Sequence, residues 1–177
     1  MEVIEEKSSI RLENFGSFVS THIFDCGQAF RWEFDGTGYV GVVGDRVIRV
    51  VEDREAIILE NCNREDFKHI WFNYFDLDRD YAEIRKELAK LDSIMKRATT
   101  FGYGIRILNQ DPWETLISFI ISANNNIGRI GKTIENICKV YGDMIIWRGQ
   151  QYYKFPSPHV LAKADIDTLR RCGCGYR

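Results

Sequence analysis

Residues 29–60 read AFRWEFDGTGYVGVVGDRVIRVVEDREAIILE, and this stretch decides the class of fold. Apolar and β-branched residues are grouped into short runs at 29–34, 38–43, 46–51 and 56–60. Asp-Gly, Gly-Asp and a polar stretch separate the runs, and short connections of this kind between β-branched runs are typical of hairpins. The pattern predicts a four-stranded antiparallel meander.

Beyond this stretch the apolar residues recur at the helical period. Helices are predicted at 65–75, 80–91, 111–123, 127–141 and 165–172, with a looser connection at 147–157. The 111–123 helix begins with Asp111, Pro112 and Glu114, the pattern of a capping box, and its segment 116–123 is apolar enough to be buried. A sheet followed by helices predicts an α+β chain, divided near residue 105 into domains 1–105 and 106–177.

Composition excludes several classes of protein. With 45% hydrophobic and 13% aromatic residues, the 177-residue chain is not disordered. Its start is acidic, and its longest apolar run is too short to span a membrane, so we expect a protein of the cell interior with no membrane partner. The five cysteines form no C-x-x-C pair and the three histidines are scattered, so neither zinc nor structural disulfides are expected.

Two short motifs fail on inspection. Residues 131–133 read GKT, like the end of a P-loop, but Asn126 stands where that loop requires glycine. Aspartates at 76, 78 and 80 have the spacing of an EF-hand, but Tyr81 stands at the glycine position. Nucleotide and calcium binding are not predicted.

Charge is unevenly distributed along the chain. Residues 1–60 hold 6 Lys and Arg against 12 Asp and Glu, whereas residues 94–177 hold 12 against 6. A basic half fits a DNA-contacting surface confined to one domain, and it equally fits ordinary scatter of charge between two domains.

The predicted helix 127–141 divides into two faces. Apolar residues that we expect to be buried occupy one face: Ile127, Ile130, Ile134, Ile137 and Tyr141. The opposite face is polar: Arg129, Lys132, Asn136 and Lys139. A solvated face explains most of this pattern. Arg129, however, lies in the first turn, where the helix dipole disfavours a cation by about 0.3–1 kcal/mol, which suggests a partner.

Three consecutive asparagines, 124–126, precede this helix. Asparagine tolerates left-handed backbone and caps helices, so turn chemistry explains any one of them. Three together at one corner also supply amide groups that could hydrogen-bond base edges.

Four landmarks in order along the chain resemble the 8-oxoguanine DNA glycosylases of the helix–hairpin–helix superfamily. They are CGQAFRW at 26–32, DPWE at 111–114 with IISANNNIGRI at 120–130, FPS at 155–157, and GCGYR at 173–177. The resemblance implies an N-terminal sheet domain over 1–105 and, over 106–177, the first and incomplete part of the helical glycosylase domain.

The resemblance also assigns roles. Gly27 matches the glycine whose carbonyl recognises the lesion, because oxidised guanine has an N7–H donor where guanine has an acceptor. Asn124, Arg129 and Arg177 match residues that hold the cytosine left unpaired after base flipping. Tyr176 matches the aromatic wedge that enters the stack beside it.

The family's activity is removal of oxidised purine opposite cytosine, with associated lyase activity. A lysine attacks C1′ of the sugar, an aspartate assists, and β-elimination cuts the strand. Both residues are expected beyond Arg177, so no catalytic residue is assigned in this chain. The implied partner is double-stranded DNA containing oxidised guanine, bound by a monomer at the nucleoid, with no cofactor and no metal.

Two alternatives stay open at this point. The first is a short DNA-binding protein without catalytic activity. The second is a sister glycosylase for alkylated bases, against which the CGQAFRW and Asn-Asn-Asn segments argue.

Overall fold

The computed structural model describes residues 1–54 and 56–176. Six strands form one sheet in the order β1-β2-β6-β5-β4-β3. Their bounds are Glu2–Glu6 (β1), Ser9–Glu13 (β2), Trp32–Phe34 (β3), Tyr39–Val43 (β4), Arg46–Asp53 (β5) and Ala56–Glu60 (β6). The predicted meander is confirmed as β3 to β6, with β3 shorter than expected.

Strands β1 and β2 were not predicted. Strand β1 lies at the edge of the sheet and pairs antiparallel with β2. Its glutamates are exposed, as charged side chains on edge strands commonly are, and this acidic sequence hides the strand pattern. On β2, Ile10 lies opposite Leu59 of β6, which lies opposite Val50 of β5, and all three are fully buried. This row of apolar side chains fixes the register, because a slip of one residue would expose it.

Most of the helices follow the sheet. Their bounds are Ser20–Phe24 (α1), Arg64–Asp66 (α2), Phe72–Tyr74 (α3), Tyr81–Leu88 (α4), Ser93–Phe101 (α5), Pro112–Ser122 (α6), Ile127–Tyr141 (α7), Pro158–Leu161 (α8) and Ile166–Leu169 (α9). π-Helical turns follow α2 at Phe67–Trp71 and α9 at Arg170–Cys174. The α+β class is confirmed, and α1 and α5 are additions to the prediction.

The expectation of a buried helix at 116–123 was wrong. Leu116, Phe119 and Ile120 are 52%, 75% and 44% exposed. Of the α6 residues only Ser118 and Ile121 are buried, because only one side of the helix packs against α7. Ile127, expected in the buried stripe of α7, is likewise exposed.

The looser connection also proved to be ordered. Met144–Trp147 (β7) and Gln150–Tyr153 (β8) pair as an antiparallel hairpin. Its two-residue turn places both Arg148 and Gly149 at positive φ, 50° and 75°. Arginine is an unusual residue for such a turn, so the sequence gives little indication of this hairpin.

The chain forms two compact units. The first unit contains 1–28, 34–39 and 48–109, and the second unit contains 29–33, 40–47 and 110–177. Trp71, Phe75 and Ile23 are among the fully buried side chains of the first unit. The core of the second unit is built from Ile121 of α6, residues of α7, and Cys172 and Cys174. The division into domains at residue 105 stays a prediction.

Candidate nucleic-acid interface

Gly27 lies in the first unit, in the turn that follows α1. Its φ is 83°, in the left-handed region that favours glycine, and the residue is half-buried. Within residues 1–54 and 56–176, no donor is hydrogen-bonded to its carbonyl oxygen. The turn therefore presents a main-chain acceptor that the described part of the fold leaves open.

The three asparagines form the corner between α6 and α7 in the second unit. Asn126 caps α7, since its Oδ1 accepts from the Arg129 N–H at 3.0 Å. Asn125 bonds within the corner, donating to the Ile121 carbonyl oxygen at 3.2 Å and accepting from the Asn126 N–H at 3.1 Å. Asn124 is exposed with φ 50°, a left-handed conformation that asparagine tolerates. Asn125 and Asn126 thus have local structural roles, and Asn124 lies exposed at the same corner.

The polar face of α7 is less basic than its sequence suggests. Lys132 lies 2.9 Å from Glu135, and Lys139 also forms an ion pair with the same carboxylate. These two lysines lower the pKa of Glu135, Lys139 having the larger effect. Arg129 is exposed, and its guanidinium has no hydrogen bond or ion pair with any residue that the structure describes. It is the α7 cation best placed to take an external anionic or acceptor partner.

The segment 172–176 is held against α7. Cys172 and Cys174 are buried in the core of the second unit, with Gly173 at φ 107° and Gly175 at φ 63°. Asn136 Nδ2 donates to the Cys172 carbonyl oxygen at 3.1 Å, and Thr133 Oγ1 to that of Gly173 at 3.5 Å. Tyr176 follows, 80% exposed. Arg177, predicted to grip cytosine, lies outside the described residues.

Helix α7 therefore joins three of the predicted site residues. Arg129 is in its first turn, Asn124 lies just before its cap, and the turn before Tyr176 packs on Thr133 and Asn136. Gly27 belongs to the first unit. Asn136 was predicted only as part of the polar face of α7, and no role was predicted for Thr133. The sequence could not indicate their contacts, because their partners lie 36 and 40 residues away.

Arg31, within the CGQAFRW segment, forms a partly buried ion pair in the second unit. It donates to Glu114 at 3.3 Å and to the Tyr153 carbonyl oxygen. Burial raises the pKa of Glu114, and Arg31 opposes that shift. The predicted capping box is half-formed: Asp111 accepts from the Glu114 N–H at 2.8 Å, while the Glu114 side chain turns to Arg31.

Comparisons with known proteins identify the family of this chain. The family model described as "8-oxoguanine DNA glycosylase, N-terminal domain" matches residues 12–116. An N-glycosylase/DNA lyase of Saccharomyces cerevisiae is 34% identical in an alignment of 172 positions that covers 88% of this chain. The chain belongs to the 8-oxoguanine DNA glycosylase family.

Solved structures of 8-oxoguanine glycosylases are also similar to it. The apo form of the Clostridium acetobutylicum 8-oxoguanine glycosylase/lyase is 42% identical, with a TM-score of 0.94 over 98% of this chain. The same enzyme in complex with double-stranded DNA containing cytosine opposite 8-oxoG gives a TM-score of 0.96 over 99%. The chain spans 61% of these structures and 46% of the yeast relative.

Two features are absent from the described part of this 8-oxoguanine glycosylase chain. Across residues 1–54 and 56–176, no helix is long and apolar enough to cross a membrane. In the same described part, no cluster of three or more His, Cys, Asp and Glu side chains could hold a metal ion.

Proposed function

We propose that this chain forms the DNA-recognition part of an 8-oxoguanine DNA glycosylase/lyase, which removes oxidised guanine paired with cytosine. The observation that carries the proposal is the carbonyl of Gly27, to which no group in residues 1–54 and 56–176 donates, in a turn whose φ only glycine adopts readily. It is supported by the likeness to a glycosylase solved with cytosine opposite 8-oxoG.

A fixed main-chain acceptor can distinguish the lesion from guanine. Guanine N7 is an acceptor, whereas oxidation at C8 places a hydrogen on N7. The Gly27 carbonyl would accept from that N7–H, and would face a lone pair if normal guanine entered. An unmet buried acceptor of this kind costs about 1–3 kcal/mol. That free energy corresponds to about 5- to 150-fold in affinity.

The second unit would hold the cytosine left behind. Arg129 offers donors that match the acceptor edge of cytosine. Asn124 and Arg177 would make the remaining contacts that hold this base. Tyr176, exposed after a turn fixed on α7, would fill the space beside this cytosine. Such contacts would offset part of the few kcal/mol that base flipping requires.

We assign no nucleophile among these 177 residues. A nucleophilic lysine must lose its proton, and Glu135 raises the pKa of Lys139 by accepting its hydrogen bond. Lys132 is paired with the same carboxylate. We propose that the protein is a monomer that acts at the nucleoid without a cofactor. The catalytic chemistry of the family requires a lysine and an aspartate, and we propose that this chain does not supply them.

The test uses the 177-residue chain and fluorescein-labelled duplexes. Fluorescence anisotropy should show tighter binding to 8-oxoguanine:C than to guanine:C, by about 5-fold or more. Incubation with borohydride should trap no adduct and cut no strand. Equal affinity for the two duplexes would refute lesion recognition and favour a non-specific DNA-binding protein, and a trapped adduct would refute the absence of the nucleophile. Preference for an alkylated-base duplex would favour the sister glycosylase.

A further inference from the structure

The residue directly after Gly27 has a fully bonded side chain. Gln28 Nε2 donates to the carbonyl oxygens of Ile23 at 2.9 Å and Arg106 at 2.8 Å. Its Oε1 accepts from the Leu108 N–H at 3.0 Å. Both amide hydrogens and the amide oxygen are therefore engaged, and these three partners are main-chain groups of the first unit.

These partners belong to buried residues. Ile23 is fully buried, and Arg106 and Leu108 are 2% and 5% exposed. The Arg106 guanidinium lies 4.9 Å from the centroid of the Phe15 ring and 4.2 Å from that of the Tyr81 ring. It also donates to the Phe75 carbonyl oxygen at 3.0 Å. Gln28 is thus bonded to buried main chain that the core holds in place.

The other side of the turn is also fixed. The Tyr39 hydroxyl donates to the Asp25 carboxylate at 2.6 Å, and Tyr39 is 5% exposed. Burial, and then the hydrogen bond to Asp25, raises the pKa of Tyr39, so the hydroxyl stays a donor at physiological pH. Gly27 lies between two anchored residues, Asp25 and Gln28.

We infer that Gln28 is a positioning residue, which fixes the direction of the Gly27 carbonyl so that it discriminates oxidised guanine from guanine. The inference rests on the proposed function. Lesion and guanine differ at N7 by the presence of a donor, and hydrogen bonds weaken steeply as their geometry worsens. A carbonyl free to rotate would turn away from the guanine lone pair, and the penalty that rejects guanine would be lost. Glycine supplies the conformation, and Gln28 supplies the rigidity.

The decisive variant is Gln28→Leu, which keeps most of the side-chain volume and removes all three bonds. Its ratio of affinities for 8-oxoguanine:C over guanine:C should fall about 5-fold or more, through weaker lesion binding and less rejection of guanine. A merely structural role would weaken binding to both duplexes equally and leave the ratio unchanged. Tyr39→Phe, which removes one bond at the other anchor and keeps the ring, should give a smaller fall.

Cys26→Ala is the matched control. Cys26 also neighbours Gly27, but its side chain is exposed and its thiol gives a weak hydrogen bond to the Ile23 carbonyl oxygen at 3.4 Å, so the ratio should stay within 2-fold of wild type. An unchanged ratio in folded Gln28→Leu overturns the inference.

Hydrogen exchange without DNA separates this inference from the proposed function. In Gln28→Leu the Leu108 amide, which donates to Gln28 Oε1, should exchange about 10-fold faster or more, while those of α7 keep wild-type rates. If wild type fails to prefer the lesion duplex, the proposed function fails on its own. Unchanged exchange at Leu108 overturns the positioning role whatever the binding result.

Discussion

The side-chain amide of Asn136 donates to the main-chain carbonyl oxygen of Cys172 at 3.1 Å, which attaches the turn before Tyr176 to helix α7. The same helix carries Arg129 three residues after its cap. One rigid element therefore sets the positions of a cationic side chain and of an exposed aromatic ring that lie far apart in sequence.

Gly173→Ala should destabilise the second unit by about 2 kcal/mol or more. Gly173 has φ 107°, and a Cβ there would lie 2.8 Å from Thr133 Oγ1. Backbone strain and a steric clash therefore act together. Urea unfolding followed by tryptophan fluorescence measures the change.

Gly149→Ala is the control, because Gly149 also has positive φ, 75°, with nothing within 4 Å of its added Cβ. It should show the strain alone, about 1 kcal/mol. Adding Thr133→Ala to Gly173→Ala should recover the difference between the two glycines. If the two single variants lose equal stability, the predicted clash does not exist.

Asp35→Asn should lower stability at pH 7 by about 1 kcal/mol, a figure reduced for the partial exposure of this carboxylate. Arg49 donates to it at 2.6 and 3.2 Å, and Thr37 and Gly38 donate through their main-chain N–H groups. The Arg49 hydrogen bonds lower the pKa of Asp35 well below its usual range.

A lowered pKa means that the carboxylate stabilises the fold above its unfolded pKa of about 3.9 and loses this effect as pH falls further. The difference between wild type and Asp35→Asn should therefore shrink below about pH 4. Unfolding in urea at pH 7, 4 and 2.5 tests the sign, and a difference that grows on acidification would contradict it. Asp45→Asn, in the exposed pair with Arg46, should change stability by under about 0.5 kcal/mol throughout.

Arg129→Ala should relax the choice of base opposite the lesion. Loss of its donors should cut the preference for cytosine over the other three bases by about 5- to 150-fold, corresponding to about 1–3 kcal/mol. Anisotropy with 8-oxoguanine opposite each of the four bases measures it. Lys132→Ala removes a cation from the same helix, but one already paired with Glu135, and should leave the order of preference unchanged. Equal effects of the two substitutions would mean that Arg129 contributes only positive charge and does not select the opposite base.

Local patterns predicted the parts of the fold that local physics controls. The β-branched runs of β4 to β6 and the two faces of α7 follow from side-chain periodicity. The acidic strand β1 was missed because its pairing with β2, rather than its composition, makes it a strand. Burial of the apolar segment in α6 was predicted wrongly, because periodicity does not indicate which other elements pack against Phe119.

The features of the candidate site also divide into those that local sequence predicts and those that depend on distant residues. Glycine at 27 and asparagine at 124 signal left-handed backbone, and both have it. The bonds of Gln28 to Arg106 and Leu108 join residues about eighty apart, a relation that no local pattern encodes. The pairing of Lys132 and Lys139 with Glu135 was available from the i, i+3 and i, i+4 spacing, but counting charges by face concealed it.

That acidic residue on α7 has a consequence for the thermodynamics of DNA binding. Each phosphate neutralised by an unpaired cation releases condensed counterions, and the logarithm of the binding constant falls with the logarithm of salt by about 0.9 per phosphate. Helix α7 carries three cations, Arg129, Lys132 and Lys139, and the single carboxylate of Glu135 offsets one of them, so the helix would release the ions of about two phosphates rather than three. The helix would then contribute less than its cations suggest to the salt-sensitive, sequence-independent attraction that holds proteins on undamaged duplex, and a more weakly held protein leaves normal DNA sooner.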